Sequence, residues 1–292
     1  MTFREHAQSP FWLGTGRMLL SALLFSLMSL LVKLDNSASS YLVTFVRFLT
    51  GLIILASMSR LRMIAIKPVN LPWLAIRGFF GTIAVCLLYV GISKIGLGKG
   101  TMLNYTYPVF AAALSPLIVR EKNSLSVWIT LLVALGGCYM ILNPSGAFQI
   151  KGIELLVLCG ALCAGVAVNS IRRLSKTDNS YTIYAAFCLV GTLIMAGPAL
   201  SGRLDFSPAT WFILICIGVL ATAAQLLMTT AYRHVRVAEG SIIAFLVPVL
   251  NAILGAMFFR EKIGFWNIVG AVIVISCCTY ASWKKQQEIS VA

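Results

Sequence analysis

Long apolar segments separated by short polar clusters follow one another along almost the whole chain. Ten can be counted, at approximately residues 14–33, 41–59, 72–94, 99–119, 126–143, 152–172, 181–200, 209–232, 237–259 and 264–283. An apolar helix of about 20 residues spans the ~30 Å hydrocarbon core of a bilayer. The pattern therefore predicts an all-α membrane protein with ten transmembrane helices.

The composition agrees with this prediction, and the charges suggest an orientation. Hydrophobic residues make up 59% of the chain and charged residues only 11%, against roughly 25% charged in soluble domains. The net charge of +14 is spread over short loops, without the basic run with interleaved aromatics that nucleic-acid binding would favour. With a cytoplasmic N-terminus, 15 basic residues fall inside and 7 outside. We therefore expect a protein of the cell (inner) membrane with both termini in the cytoplasm, lipid as its surroundings and no nucleic-acid partner.

One sequence pattern occurs twice. NYTYPVFAAALSPLIVREK starts at Asn104 and AFLVPVLNAILGAMFFREK at Ala244, so that Pro-Val and Arg-Glu-Lys recur with an offset of 140 residues. The same offset relates Tyr41 to Tyr181, Gly51 to Gly191, Gly78 to Gly218, Thr82 to Thr222 and Gly100 to Gly240. The repeat predicts two five-helix domains, residues 1–146 and 147–292. Because five is odd, the second is expected to be inverted relative to the first, around a central cavity, as in carriers that work by alternating access.

Several motifs carry a resemblance to a known family. They are Tyr-Thr-Tyr-Pro-Val-Phe at 105–110, Val-Pro-Val at 247–249, the acidic residues Glu121 and Glu261, and Arg47-Phe48 early in the second helix. With its twin five-helix units, the chain resembles the EamA-type branch of the drug/metabolite transporter superfamily over about residues 14–283. The resemblance implies a basket of ten helices whose cavity is lined mainly by helices 1, 3, 4, 6, 8 and 9. It also implies transport of amino acids, nucleotide-linked metabolites, cationic drugs or other small solutes.

Polar and aromatic residues on the predicted helices suggest where a substrate binds. The candidates are Thr82, Tyr89, Asn104, Tyr105, Gln225, Thr229, Tyr232, Phe245 and Asn251. Many of them recur at helical spacing, and polar groups that face lipid are costly, so these faces are expected to meet protein or a water-filled path. Close packing between helices is the alternative interpretation.

Two prolines fall at corresponding points of the repeats. Pro108 leaves the carbonyl of Asn104 without its helical N–H, and Pro248 does the same to Ala244. Paired interruptions of this kind indicate a transporter site at the interface between repeats. We therefore include both prolines in the candidate substrate site, with a simple packing kink as the alternative.

The positions of the charged residues bear on the coupling mechanism and on the charge of the substrate. None of the nine acidic residues lies in the middle of a predicted helix, which argues against a central proton-coupling glutamate and against a strong preference for cations. Arg47 lies about 9 Å into its helix. It either snorkels to the interface or, together with Lys33, draws in a substrate carboxylate. Arg120, Glu121, Arg260 and Glu261 are expected to form ion pairs that seal helix ends.

The first functional hypothesis is a secondary transporter of small organic metabolites, with export of amino acids or related compounds as the first expectation. Uptake or exchange of a nucleoside-type metabolite is the alternative, and a non-transporting membrane subunit is a second alternative. An enzyme is disfavoured, because the chain has two histidines and no acidic cluster. No cofactor or metal is expected, and substrate, direction, coupling and oligomeric state are left open.

Overall fold

The computed structural model describes residues 3–35, 37–95, 97–142, 152–260 and 263–291, and within them the side chains of residues 12–95, 100–260 and 263–283. The described chain forms twelve α-helices. They are α1 (Phe3–Leu34), α2 (Ser40–Arg60), α3 (Leu71–Ile95), α4 (Leu97–Asn104), α5 (Tyr107–Ile118), α6 (Leu125–Leu142), α7 (Gly152–Leu174), α8 (Ser180–Leu200), α9 (Pro208–Ala231), α10 (Val237–Ala244), α11 (Leu246–Phe259) and α12 (Phe265–Val291).

The predicted all-α membrane fold is confirmed. Within the described residues, nine stretches are long and apolar enough to cross a bilayer. The pair α10–α11 forms one of these spans, and the pair α4–α5 occupies the place of the fourth predicted helix. Because each of these two pairs counts as one span, the twelve helices make up the ten predicted spans, in two units of five.

Both interrupted spans break at the same point of the repeat. The break in the first unit lies at Tyr105 and Thr106, and the break in the second lies at Phe245, which is Tyr105 plus 140. At these points the backbone hydrogen bonds reach back three residues instead of four. The N–H of Thr106 donates to the carbonyl of Leu103 at 3.2 Å, and the N–H of Phe245 donates to the carbonyl of Ile242 at 3.1 Å. Each break precedes a proline by two or three residues, because the proline cannot continue the helical ladder.

Helix packing is reciprocal between the two units. The helix α1 packs on α9, and its repeat equivalent α7 packs on α3; likewise α5 packs on α7 as α11 packs on α1. Two pairs, α2 with α8 and α6 with α12, join equivalent helices to each other. Reciprocal contacts of this type are the signature of two-fold symmetry, here between two halves of one chain.

Glycines related by the repeat occupy equivalent crossings. Gly78 faces Val190, and its equivalent Gly218 faces Thr50, which is itself the equivalent of Val190. A Cβ at Gly78 would stand 2.7 Å from Val190, and one at Gly218 would stand 2.6 Å from Thr50. The repeated glycines therefore allow equivalent helices of the two units to pack closely at equivalent positions.

The crossing of α6 and α12 gives a sharp stability prediction. A Cβ on Gly137 would lie 2.8 Å from the carbonyl oxygen of Gly270, whereas a Cβ on the neighbouring Gly136 would meet nothing within 4 Å. We expect Gly137→Ala to destabilise the protein by roughly 1–3 kcal/mol, since backbone must move to admit the methyl group. Thermal unfolding of the detergent-purified protein measures this. Gly136→Ala is the matched control and should leave the melting temperature unchanged or slightly raised; equal melting temperatures for the two variants would contradict the packing described.

Candidate functional site

A cavity of about 180 Å³ lies between the two units, beside the interrupted spans. Its walls come from α1, α3, α4, α7, α9, α10 and α11, which are the first, third, fourth, sixth, eighth and ninth spans. Single residues of neighbouring helices complete it: Arg47 of α2, Tyr107 of α5 and Phe187 of α8. This space is called the central cavity below.

The structure brings six of the residues proposed from the sequence into the wall of the central cavity. They are Arg47, Tyr89, Asn104, Tyr105, Gln225 and Asn251. The two residues whose carbonyls the prolines release, Asn104 and Ala244, both line it as well. The interruptions therefore face the same space, although a role in substrate binding stays a prediction for each residue.

The other proposed substrate residues lie outside the cavity wall: Thr82, Pro108, Thr229, Tyr232, Phe245 and Pro248. The hydroxyls of Thr82 and Thr229 each donate to the carbonyl four residues earlier, at 2.7 Å. The Tyr232 hydroxyl lies 3.4 Å from the Ser241 hydroxyl, and Phe245 is buried in the cluster in which α10 and α11 pack on α6 and α12. In this structure these residues take part in packing, and a role in substrate binding stays a prediction for each of them.

The face that α3 turns to the cavity differs from the polar stripe seen in the sequence. Gly78 and Thr82 pack away from it, while the cavity face consists of Arg77, Gly81, Ala84, Leu88 and Ile92 together with Tyr89 and Val85. Arg77 is one of the 15 basic residues that the charge bias assigns to the cytoplasmic side, but it is buried, with only 3% exposed. An arginine inside an otherwise apolar segment was the signal that could have identified it.

Arg47 is buried in the cavity wall rather than snorkelling to the interface. Its side chain is 4% exposed, and its terminal nitrogens donate to the Tyr89 hydroxyl at 3.3 Å and to the Gln225 side-chain oxygen at 3.5 Å. The Nε of Arg47 and the amide nitrogen of Gln225 have no partner among the described residues. An arginine offers five N–H donors, so both long bonds leave capacity for a further acceptor.

Arg77 is the second arginine of the cavity. Its guanidinium carbon lies 3.8 Å from the ring centroid of Phe187, and its Nε has no partner within the described part of the chain. No aspartate or glutamate occurs among the described residues that line the cavity. The site therefore presents two buried cations to whatever occupies it.

An ion pair joins the two units at one end of the bundle. Here the near end of the bundle means the end where α3 begins and α7 ends, and the far end is the opposite one. Glu121, just beyond α5, accepts from Arg172 Nε at 2.7 Å and from the Val237 N–H at 3.1 Å. Arg172 also donates to the backbone carbonyls of Tyr232 and Arg233. Glu121 thus joins the first unit to two helices of the second.

The remaining predicted gate residues differ in placement. The pairing partner of Glu121 is Arg172 rather than its neighbour Arg120. Arg120 and Arg260, which are 140 residues apart, both have left-handed backbone, with φ of 62° and 54°. Glu261 lies outside the described residues. The Lys33 amino group lies 4.4 Å from the Phe259 ring centroid at the far end, away from the central cavity wall.

The near-end contact of Glu121 leads to a prediction. Both partners of the ion pair are part-exposed, at 21% and 15%, so Glu121→Gln is expected to remove about 1 kcal/mol, a factor of roughly 5 in the closed population. Val168→Cys in the cavity wall should then react faster with a membrane-impermeant thiol reagent added from the near side. Lys122→Gln, an exposed charge change in the same loop, is the control and should leave the rate unchanged. Equal rates in Glu121→Gln and the parent would show that this contact does not hold the near end shut.

The fold and the cavity define a membrane transporter built from two related five-helix units. The chain belongs to the EamA-like transporter family, whose family model matches residues 12–143 and 151–283.

Individual relatives agree with this placement. The chain is similar to the pseudopaline exporter CntI of Pseudomonas aeruginosa, with 29% identity over 275 residues, 91% of this chain and 95% of that protein. It is also similar to solute carrier family 35 member G1 of Mus musculus, with 24% identity over 94% of this chain and 79% of that protein. A crystal structure with 16% identity superposes with a TM-score of 0.80, covering 96% of this chain and 98% of that one, which shows a shared fold. The family and the relatives indicate a transporter of small metabolites rather than an enzyme.

Proposed function

We propose that this protein is a secondary transporter of small organic metabolites that carry an anionic group, working by alternating access. An amino acid or a related compound is the first cargo to test, and export is the first direction to test. The Pseudomonas relative is named as an exporter, which supports that direction for this chain without deciding its cargo.

The observation that carries the proposal is the set of unpaired polar atoms in the central cavity. Four buried side-chain atoms of its wall have no partner among the described residues: Arg47 Nε, Arg77 Nε, Gln225 Nε2 and Asn251 Oδ1. Three of them are donors, and two belong to cations. Buried polar groups normally find partners, so a ligand with an anionic acceptor group would complete this site. The aromatic walls, including Tyr89, Tyr105 and Phe187, would contact an apolar or aromatic part.

Unequal packing at the two ends supports alternating access. At the near end Ile171, Leu174 and Val235 are fully buried. Their repeat equivalents at the far end are less covered: Leu31 and Ile95 are half-buried and Leu34 is 53% exposed. Because the two units share one fold, exchanging their packing would open the near end and close the far end. In this account the motion turns on the breaks at Tyr105 and Phe245.

The orientation follows from the charge bias. We place both termini in the cytoplasm of the cell, with the protein in the inner membrane, because basic residues then concentrate on the cytoplasmic side. The near end, where α7 ends in Arg172 and Arg173, is then the cytoplasmic end and the structure is closed towards the cytoplasm. The boundary between the two units, placed between residues 146 and 147, falls outside the described residues and stays a prediction.

A ligand screen followed by a flux assay tests the proposed function. Purified protein is melted with amino acids, carboxylates, nucleosides and organic cations, because a ligand of the folded state raises stability by mass action. Hits are then followed in proteoliposomes as flux and as exchange against unlabelled compound. We expect stabilisation and flux with compounds that bear a carboxylate. Hits confined to nucleosides would favour the exchange alternative, and binding without any flux would favour a non-transporting subunit.

A further inference from the structure

We infer that the central cavity holds two anion subsites, one at Arg47 and one at Arg77, and that its preferred substrates are dicarboxylates with an apolar or aromatic middle. This inference rests on the proposed function and names its substrate class. It requires that Arg77 recognises a ligand rather than serving only to pack α3 against α8.

The setting of Arg77 favours recognition. The central carbon of its guanidinium lies over the Phe187 ring, 3.8 Å from the ring centroid. Stacking occupies the face of a guanidinium and leaves its edge, with the N–H donors, free for a carboxylate. A buried charge without an opposite charge is costly, and no acidic side chain among the described cavity residues offsets this one. A substrate carboxylate would supply the missing charge.

Gly81 makes room for this arrangement. A Cβ on Gly81 would overlap the Nη1 atom of Arg77 and stand 2.8 Å from the Phe187 ring. Any side chain at position 81 would therefore push the guanidinium off its present place, while its charge would remain. Gly81 acts as a positioning residue for Arg77, and Gly81→Ala separates the placement of the charge from its presence.

The two arginines approach the cavity from opposite ends of the bundle. Arg47 lies about 10 Å along α2 from the far end, and Arg77 about 9 Å along α3 from the near end. Phe48 and Phe187 stack edge to face with centroids 4.7 Å apart; the guanidinium carbon of Arg47 lies 6.0 Å from the Phe48 centroid, and that of Arg77 lies 3.8 Å from the Phe187 centroid. Because the two guanidiniums come from opposite ends of the bundle and lie nearest to different rings, each is assigned its own carboxylate. Two carboxylates joined by a short apolar spacer match this layout.

A matched ligand series tests the inference. The probes are the straight-chain dicarboxylates from succinate to suberate, each compared with its own monoamide, which has the same length and one charge fewer. Affinities are measured by calorimetry on the full-length protein in detergent. We expect at least one dicarboxylate to bind about tenfold or more tighter than its monoamide, which is the effect of one added charge-assisted contact.

Variants assign the second carboxylate to Arg77. Arg77→Gln and Gly81→Ala should each remove the preference, so that the dicarboxylate and its monoamide bind with similar affinity. Gly81→Ala keeps the buried charge of Arg77, so it provides the test if Arg77→Gln lowers the yield of folded protein. Arg203→Gln, an exposed loop change, should leave the preference intact.

Two results would overturn the inference. One is an unchanged preference for the dicarboxylate in a folded Arg77→Gln or Gly81→Ala variant. The other is the absence of any dicarboxylate preference, or of any dicarboxylate binding, in the parent protein. If monoamides or other monocarboxylates still bind and cross proteoliposomes in that case, the proposed function stands and only the second subsite is lost. If no carboxylate is bound or transported, both fail.

Discussion

Arg47→Gln is expected to weaken binding of the best carboxylate from the ligand screen by roughly 10- to 150-fold, which corresponds to about 1.5–3 kcal/mol for a hydrogen bond to a charged group. The physical reason is the position of Arg47 in the cavity wall, where its guanidinium contacts Tyr89 and Gln225 weakly and retains an unpaired Nε. Glutamine keeps a donor and an acceptor near these neighbours but removes the charge. Calorimetry and initial flux rates measure the effect.

Two controls make this prediction specific. Arg203 lies in an exposed loop, where its Nε donates to the backbone carbonyl of Asp205, and Arg203→Gln should bind the carboxylate normally. Arg47→Lys retains the charge but loses the forked donor geometry, so it should fall between the parent and Arg47→Gln. A folded Arg47→Gln variant with parental affinity would remove Arg47 from the binding site.

A cross-link across the near end is expected to abolish flux. Glu121 and Val237 are joined by a 3.1 Å hydrogen bond and belong to different units. Cysteines at both positions, in a cysteine-free background that transports, should react with a short bifunctional thiol reagent in the closed state. Since transport requires this end to open, flux should fall to the level of empty liposomes and return when a cleavable reagent is reduced.

The control for this cross-link joins two residues of the same unit. Arg233 donates to the carbonyl of Ser175, and both residues belong to the second unit at the same end of the bundle. When cysteines at 175 and 233 are cross-linked with the same reagent, most of the flux should remain, because the main motion is proposed to occur at the contact between units. Full flux through the locked 121–237 pair would instead indicate a channel or a non-transporting protein.

The spans and their breaks were predictable because the bilayer imposes strong local rules. Every span must be a long apolar helix, so the ten segments appear directly in the sequence. Proline has a local effect on the helical ladder, and for this reason Pro108 and Pro248 predicted two interruptions. The structure places those interruptions two to three residues earlier, at Thr106 and Phe245.

The orientation of side chains around α3 was less predictable. A threonine can satisfy its hydroxyl within its own helix, as Thr82 does with Gly78, so a polar stripe need not face water. The stacking of Arg77 on Phe187 joins residues 110 positions apart, and only the tertiary fold creates it. For the same reason the sequence could place Arg47 in its helix but could not show whether its guanidinium reached lipid headgroups or the cavity.

The most direct test of the account is whether the central cavity can be reached from both sides of the membrane. Ala164 lines the cavity on α7, so Ala164→Cys, in the cysteine-free background, can be treated with a membrane-impermeant anionic thiol reagent in right-side-out and in inverted vesicles. We expect labelling from each side in turn, slowed by a carboxylate that the protein transports. Cysteine at the lipid-exposed Leu193 should stay unlabelled from both sides, because the thiolate that reacts with the reagent does not form in lipid. Labelling of residue 164 from one side only, unaffected by any transported compound, would contradict a single cavity that opens alternately to the two faces.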